Sequence, residues 1–123
     1  MGARGEITLQ AGDREVQLLF TNRAIATAEE KLGKGIIEVL VRFEQGGGGI
    51  TETAILLQAG MEFARREAGL GGRRVSLPQA FEVLDEAGFA VALAAIAEGI
   101  RGVLSYGVED EEELPVEDKF PNA

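Results

Sequence analysis

The chain has 123 residues, a length that fits one domain, and 46% of them are hydrophobic, so a packed core is expected. It carries 12 basic and 21 acidic residues, a formal net charge of −9, and contains no cysteine, histidine or tryptophan. The charge argues against binding to nucleic acid or to an anionic membrane, because both require a basic face. The missing residue types exclude disulfides, thiolate and imidazole catalysis, and Cys/His zinc sites.

The negative charge is concentrated after Tyr106. Residues 1–106 carry 11 basic and 14 acidic side chains, a net charge of −3. Residues 107–123 carry seven acidic side chains and a single base, Lys119, a net charge of −6. Because this end has little apolar surface to bury, it is predicted to be an acidic flexible tail. Residues 1–106 are predicted to form a single domain.

No targeting or membrane-spanning segment is predicted. The first residues lack the apolar stretch of a signal peptide. The longest apolar run, residues 87–97, has 11 residues, whereas a spanning helix needs about 20. The sequence therefore favours a cytoplasmic protein.

Alternating apolar and polar residues predict a β-hairpin over residues 6–20. Ile7 and Leu9 alternate with polar residues before Gly12-Asp13, and a second alternating run follows it. Gly12 and Asp13 suit a tight turn. A two-stranded hairpin is marginal alone, so its apolar face is expected to rest on helices.

Helical periodicity predicts about five short helices after the hairpin, so the predicted fold class is α+β and mainly α. Thr21 or Asn22 can cap the first helix. Ser76-Leu77-Pro78-Gln79 has the pattern of a capping box and starts the fourth. The four glycines at 46–49 are interpreted as a flexible linker. With these signals the predicted helices lie at 22–32, 36–45, 50–67, 77–87 and 89–104.

The last predicted helix is apolar around nearly its whole circumference. Such a helix is central to a core or partly buried by a partner. Phe89, Leu93, Ile96 and Ile100 are therefore candidate partner-binding residues. The alternative is that these positions simply belong to the core.

Arg65, Arg66, Arg73 and Arg74 form a local concentration of positive charge around a glycine-rich loop. Four guanidinium groups can form a site for an anion or an acidic partner. The alternative is that they end a helix favourably and keep the loop solvated. Docking of the acidic tail on these arginines is a further interpretation.

No arrangement of residues predicts catalysis, a bound cofactor or a metal site. The carboxylate pairs Glu29-Glu30 and Asp85-Glu86 diverge by about 100° on a helix and share no ligand. Gly33-Lys34-Gly35 lacks the spacing of a phosphate-binding P-loop. The acidic run at 109–113 lacks the ligand pattern of a calcium loop. We therefore expect neither an enzyme nor a cofactor.

The order and lengths of these pieces resemble the small tail assembly chaperones of long-tailed phages, especially the versions encoded in gene transfer agents and prophages. The resemblance spans residues 5–104. The stretches ITETAILLQAGMEFA and SLPQAFEVLDEAGFAVALAAIAEGI are similar to the family's later helices. Ala28 stands where the family usually has a leucine. The features that match the family's opening are Gly5-Glu6, Gly12-Asp13, Ala24-Ile25, Ala28-Glu29-Glu30, Leu32-Gly33 and 36–40.

The resemblance implies a non-enzymatic assembly factor of the bacterial host cytoplasm. Such chaperones bind the tape-measure protein before the tail tube polymerises around it, and help to recruit tail-tube subunits. They are absent from the finished virion, and many are made in two lengths by a ribosomal frameshift. The implied partners are thus the tape-measure and tail-tube proteins, and a homo-oligomer stays open. An apolar helix that offers surface to a helical client is compatible with this role.

Two other functions stay open at this point. The chain can be a structural virion component, such as a tail-tube or head–tail joining protein, which persists in the particle. Those proteins are commonly richer in β-strand than this sequence. A third hypothesis is an enzyme accessory that binds a small molecule or an anion, built around Arg65 to Arg74.

Overall fold

A computed structural model of the chain describes residues 5–106. A two-stranded antiparallel sheet is followed by five helices, so the predicted hairpin and the mainly α, α+β fold are confirmed. The predicted acidic tail at 107–123 lies outside the described residues. The strands are β1 (Glu6–Ala11) and β2 (Arg14–Leu19), and the helices are α1 (Asn22–Leu32), α2 (Ile36–Glu44), α3 (Ile50–Glu67), α4 (Leu77–Ala87) and α5 (Phe89–Leu104).

The hairpin turns at the predicted glycine. Gly12 has a φ of 66°, a conformation that favours glycine because a β-carbon would be strained there. The side-chain amide of Gln10 donates hydrogen bonds to the carbonyl oxygens of Gly12 and Arg14, both at 3.2 Å. Leu9 and Leu18 face the helices and are buried. The apolar face of the sheet thus rests on the helical layer, as the sequence predicts.

Two helices begin at the residues that the sequence marks as caps. The Thr21 hydroxyl accepts a hydrogen bond from the Ala24 amide at 3.0 Å at the start of α1. At the start of α4, Ser76 accepts from the Gln79 amide at 3.2 Å, and the Gln79 side chain accepts from the Ser76 amide at 2.8 Å. Each pair satisfies amide groups that the first helical turn leaves without an internal partner.

The glycine run between α2 and α3, which the sequence suggests is a linker, makes hydrogen bonds to both helices. Glu52, in the first turn of α3, accepts hydrogen bonds from Arg42 Nη1 at 2.7 Å and from Lys34 Nζ and the Gly49 amide at 3.3 Å. Arg42 also donates to the Gly47 carbonyl at 3.0 Å. The Arg42 hydrogen bond, with smaller contributions from the other donors, lowers the pKa of Glu52. This carboxylate therefore links α2 to α3 across the glycines.

Phe20, which follows β2, is fully buried between α3 and α5. A β-carbon at Gly60 of α3 would lie 2.7 Å from Phe20 Cζ, and one at Gly99 of α5 would lie 2.8 Å from Phe20 Cδ2. The two glycines let both helices approach the ring closely, because any side chain there would overlap it. The Phe20 amide also donates to the Gly5 carbonyl at 2.8 Å.

The last two helices meet at Gly88, which has a φ of 91°. Their axes are bent by 112°. None of the helices in residues 5–106 is by itself long and apolar enough to cross a membrane, although α4 and α5 together meet that criterion by length and composition.

Candidate functional site

A solvent-exposed groove between α2 and α5 is the candidate partner-binding site. It has a volume of about 390 Å³ and a largely apolar lining. Helix α2 contributes Leu40, Phe43 and Glu44, and helix α5 contributes Phe89, Ala90, Leu93, Ala94, Ala97 and Arg101.

Helix α5 presents one face to the core and an adjacent face to the groove. Because successive helical residues turn by about 100°, Phe89, Leu93 and Ala97 form one stripe, which lines the groove. Ile96 and Ile100 lie on the neighbouring stripe and are both 0% exposed. Ile96 and Ile100 therefore belong to the core, the alternative that the sequence left open for them. Phe89 and Leu93 remain candidates.

Small side chains keep the groove open. Ala90 and Ala94 are exposed along α5, opposite the half-buried ring of Phe43. Toward the C-terminal end of α5, Arg101 Nη2 lies 3.2 Å from Glu44 Oε2 and bridges the two helices. The Arg101 and Glu44 side chains are 56% and 59% exposed, so this ion pair adds little stability. Because both side chains are exposed, Arg101 and Glu44 can also bind polar groups of a partner.

The apolar surface continues from the groove onto the outer face of α2. Ile37 is 60% exposed and Val41 44% exposed. On a helix, Ile37 neighbours Leu40, and Val41 neighbours Glu44, because residues three or four apart share a face. Exposed aliphatic side chains beside an apolar groove are typical of a protein-binding surface.

A second polar feature is the carboxylate of Glu62 on α3, which is only 7% exposed. It accepts hydrogen bonds from Arg65 Nη2 at 2.9 Å, from Arg66 Nε at 2.7 Å and from the Val75 amide at 2.9 Å. The hydrogen bond from Arg65 is the largest of the effects that lower the pKa of Glu62 to about 2. Arg66 also stacks on Phe63, 4.6 Å from the ring centroid. Glu62 thereby ties the loop after α3 to the helix.

The four arginines that the sequence singles out differ in their contacts within the fold. Arg65 is held by Glu62 and by the Leu70 carbonyl at 2.9 Å, so its guanidinium group is already engaged within the fold. Arg73 and Arg74 are exposed and make no ion pair with any residue in the described range. Sequence reasoning missed Glu62, although its spacing of three and four residues from the first two arginines is the usual signal for such pairs.

The described residues thus present an open apolar groove and a loop with two exposed arginines. Within residues 5–106, no group of three or more His, Cys, Asp or Glu side chains is placed to hold a metal ion. Comparisons with protein-family models, with curated proteins and with solved structures find no match to this chain.

Proposed function

We propose that the chain is a non-enzymatic tail assembly chaperone that holds the tape-measure protein before tail assembly and helps to recruit tail-tube subunits. The observation that carries the proposal is the open apolar groove between α2 and α5. The resemblance of residues 5–104 to tail assembly chaperones is the second support. A tape-measure protein exposes apolar helical surface until the tube encloses it, and a chaperone must cover that surface reversibly.

The shape of the groove favours a helical client. An amphipathic helix can lie between α2 and α5 and insert apolar residues spaced three or four apart. The alanines on α5 permit the interaxial distances of about 8–10 Å at which helices pack. Such binding would also cover Ile37 and Val41, which are exposed in the free chain.

A charge placed in the groove is expected to weaken client binding. Ala94→Glu should lower the affinity for the tape-measure protein at least about tenfold, because the carboxylate must lose water when an apolar helix covers it. Ala94 is exposed, so the free variant is expected to fold. Titration of the purified chain with fragments of the co-encoded tape-measure protein measures the effect.

Val91→Glu is the matched control for this charge. Val91 is on the same helix and 52% exposed, but it does not line the groove. We expect the affinity of the Val91→Glu variant for the tape-measure protein to stay within about twofold of that of the unchanged chain. The circular dichroism of both variants should be unchanged. Equal client binding by Ala94→Glu and the unchanged chain would rule out the groove as the site.

The composition of purified particles separates an assembly chaperone from a virion component. A chaperone acts before tube closure, so mass spectrometry of mature particles should detect at most traces of this chain beside abundant tape-measure and tube proteins. Stoichiometric amounts of the full chain in those particles would contradict the proposal and favour a structural virion protein.

A further inference from the structure

The described part of the chain ends beside the junction of α1 and α3. A cavity of about 500 Å³ is lined by Tyr106 together with Asn22 at the start of α1 and Glu67 at the end of α3. Glu6 lines the same cavity. The sequence after Tyr106 therefore leaves the fold at a place that already holds two carboxyl groups.

A basic cleft lies further along the same two helices. Thr27 and Lys31 of α1 line it together with Arg66 of α3 and Arg74 of the following loop. The two helices run antiparallel here, since Asn22 and Glu67 line one cavity and Lys31 Nζ, nearer the end of α1, donates to the Gln58 side chain at 3.0 Å. With a helical rise of 1.5 Å per residue, the cleft extends over about 7–14 Å of α1 beyond Asn22.

Basic side chains are grouped around this cleft, which the carboxylate of Glu62 also lines. We name Arg23, Lys31, Arg66, Arg73 and Arg74 the basic face. Arg23 belongs to it because it is four residues before Thr27, about one turn, on the same side of α1.

Most of the charge on the basic face is not neutralised within the fold. The buried carboxylate of Glu62 is shared between Arg65 and Arg66 and with a backbone amide. Arg23, Arg73 and Arg74 make no ion pair with a residue in the range 5–106. A ligand with several carboxylates would therefore meet unpaired guanidinium groups, which bind carboxylates by charge-assisted hydrogen bonds.

We propose that the acidic segment 109–118 of this chain binds its own basic face. The segment holds all seven acidic side chains found after Tyr106. At about 3.4 Å per residue, the length of the chain allows Glu109 to lie up to about 10 Å from Tyr106 and Asp118 up to about 40 Å. The basic cleft lies inside that range, along the two helices that line the cavity beside Tyr106.

A spin label on the acidic segment tests this contact in the full chain. The chain has no cysteine, so Val116→Cys provides a single labelling site. At low salt, the amide NMR signals of Thr27, Lys31, Arg66 and Arg74 should be broadened. The broadening should disappear at about 0.5 M salt, where exposed charges are screened over a few ångströms.

Two double variants identify the arginines as the cause. In the spin-labelled chain, Arg73→Ser with Arg74→Ser should reduce the broadening at Thr27 and Lys31 at least about threefold, because two unpaired charges are removed. The control double variant combines Arg14→Ser and Arg101→Ser. It removes the same amount of charge from exposed ion pairs elsewhere, and should leave the broadening unchanged.

Three outcomes would overturn the proposal. The first is uniform or absent broadening at low salt, and the second is an equal loss in the two double variants. The third comes from mixing a spin-labelled chain with an isotope-labelled chain that has no spin label. Broadening of the same strength in this mixture means that the acidic segment binds a second copy instead of its own chain.

Discussion

Replacing Phe20 by alanine is expected to lower the free energy of unfolding by about 3–5 kcal/mol, the cost of emptying a large aromatic site in a core. The ring is 0% exposed. Its neighbours on α3 and α5 include Gly60 and Gly99, which have no side chains that can move into the space. Urea unfolding followed by circular dichroism measures the change. Val91→Ala, at an exposed site, should stay within about 0.5 kcal/mol.

A substitution at Gly60 of α3 tests the contact with the Phe20 ring from the helix side. Gly60→Ala is expected to cost about 1–2 kcal/mol net, because overlap with the Phe20 ring outweighs the helical preference of alanine over glycine. Gly102→Ala on α5 is the control, since its β-carbon would lie at an ordinary 3.4 Å from the nearest atom, the Gly5 nitrogen. A rise in stability for Gly60→Ala, or a loss below about 1 kcal/mol for Phe20→Ala, would contradict this packing.

The second large effect is expected at Glu62. Its pKa in the folded chain is about 2, against an ordinary value of 4.5. A shift of this size corresponds to at most about 3 kcal/mol of stabilisation, and solvent screening around Arg66 reduces it to about 2 kcal/mol. Because the folded-state pKa is the lower one, the contribution is complete above pH 4.5 and is lost as the pH falls from 4.5 toward 2.

Glu62→Gln isolates this contribution. At pH 7 the variant should unfold with a free energy about 2 kcal/mol lower, because glutamine offers Arg65, Arg66 and the Val75 amide an uncharged acceptor. The difference should shrink as the pH falls below 4.5 in urea-unfolding series.

Glu98→Gln is the matched control for Glu62→Gln. Glu98 is exposed on α5 and makes no ion pair within the described range, so the substitution should change stability by less than about 0.5 kcal/mol. A pH-independent difference between Glu62→Gln and the unchanged chain would show that the charge of Glu62 is not what stabilises the loop.

The order and ends of the elements could be predicted because their signals are local. Thr21 and Ser76 cap helices through atoms within three residues of themselves. Gly12 and Gly33 take positive φ values at the turn and at the end of α1, where glycine is favoured. Contacts of this kind depend on neighbouring residues alone, so the amino-acid pattern carries them.

The candidate site could be predicted only in part. Phe89, Leu93, Ile96 and Ile100 look alike in a helix that is apolar on all sides, so periodicity has no polar face from which to infer its orientation. Packing against the hairpin and α3 places the two isoleucines in the core and leaves the other two in the groove. The groove also needs α2, whose position relative to α5 no local signal encodes.

The sequence by itself determined the fold class, the ends of most elements and the concentration of acidic residues after Tyr106, because composition and short-range hydrogen bonds decide these features. Only the tertiary structure decided that Glu62 holds two of the four arginines and that Phe20 requires Gly60 and Gly99. It also showed which face of α5 meets solvent. These features depend on side chains that are distant in sequence, and their contacts exist only once the helices have packed.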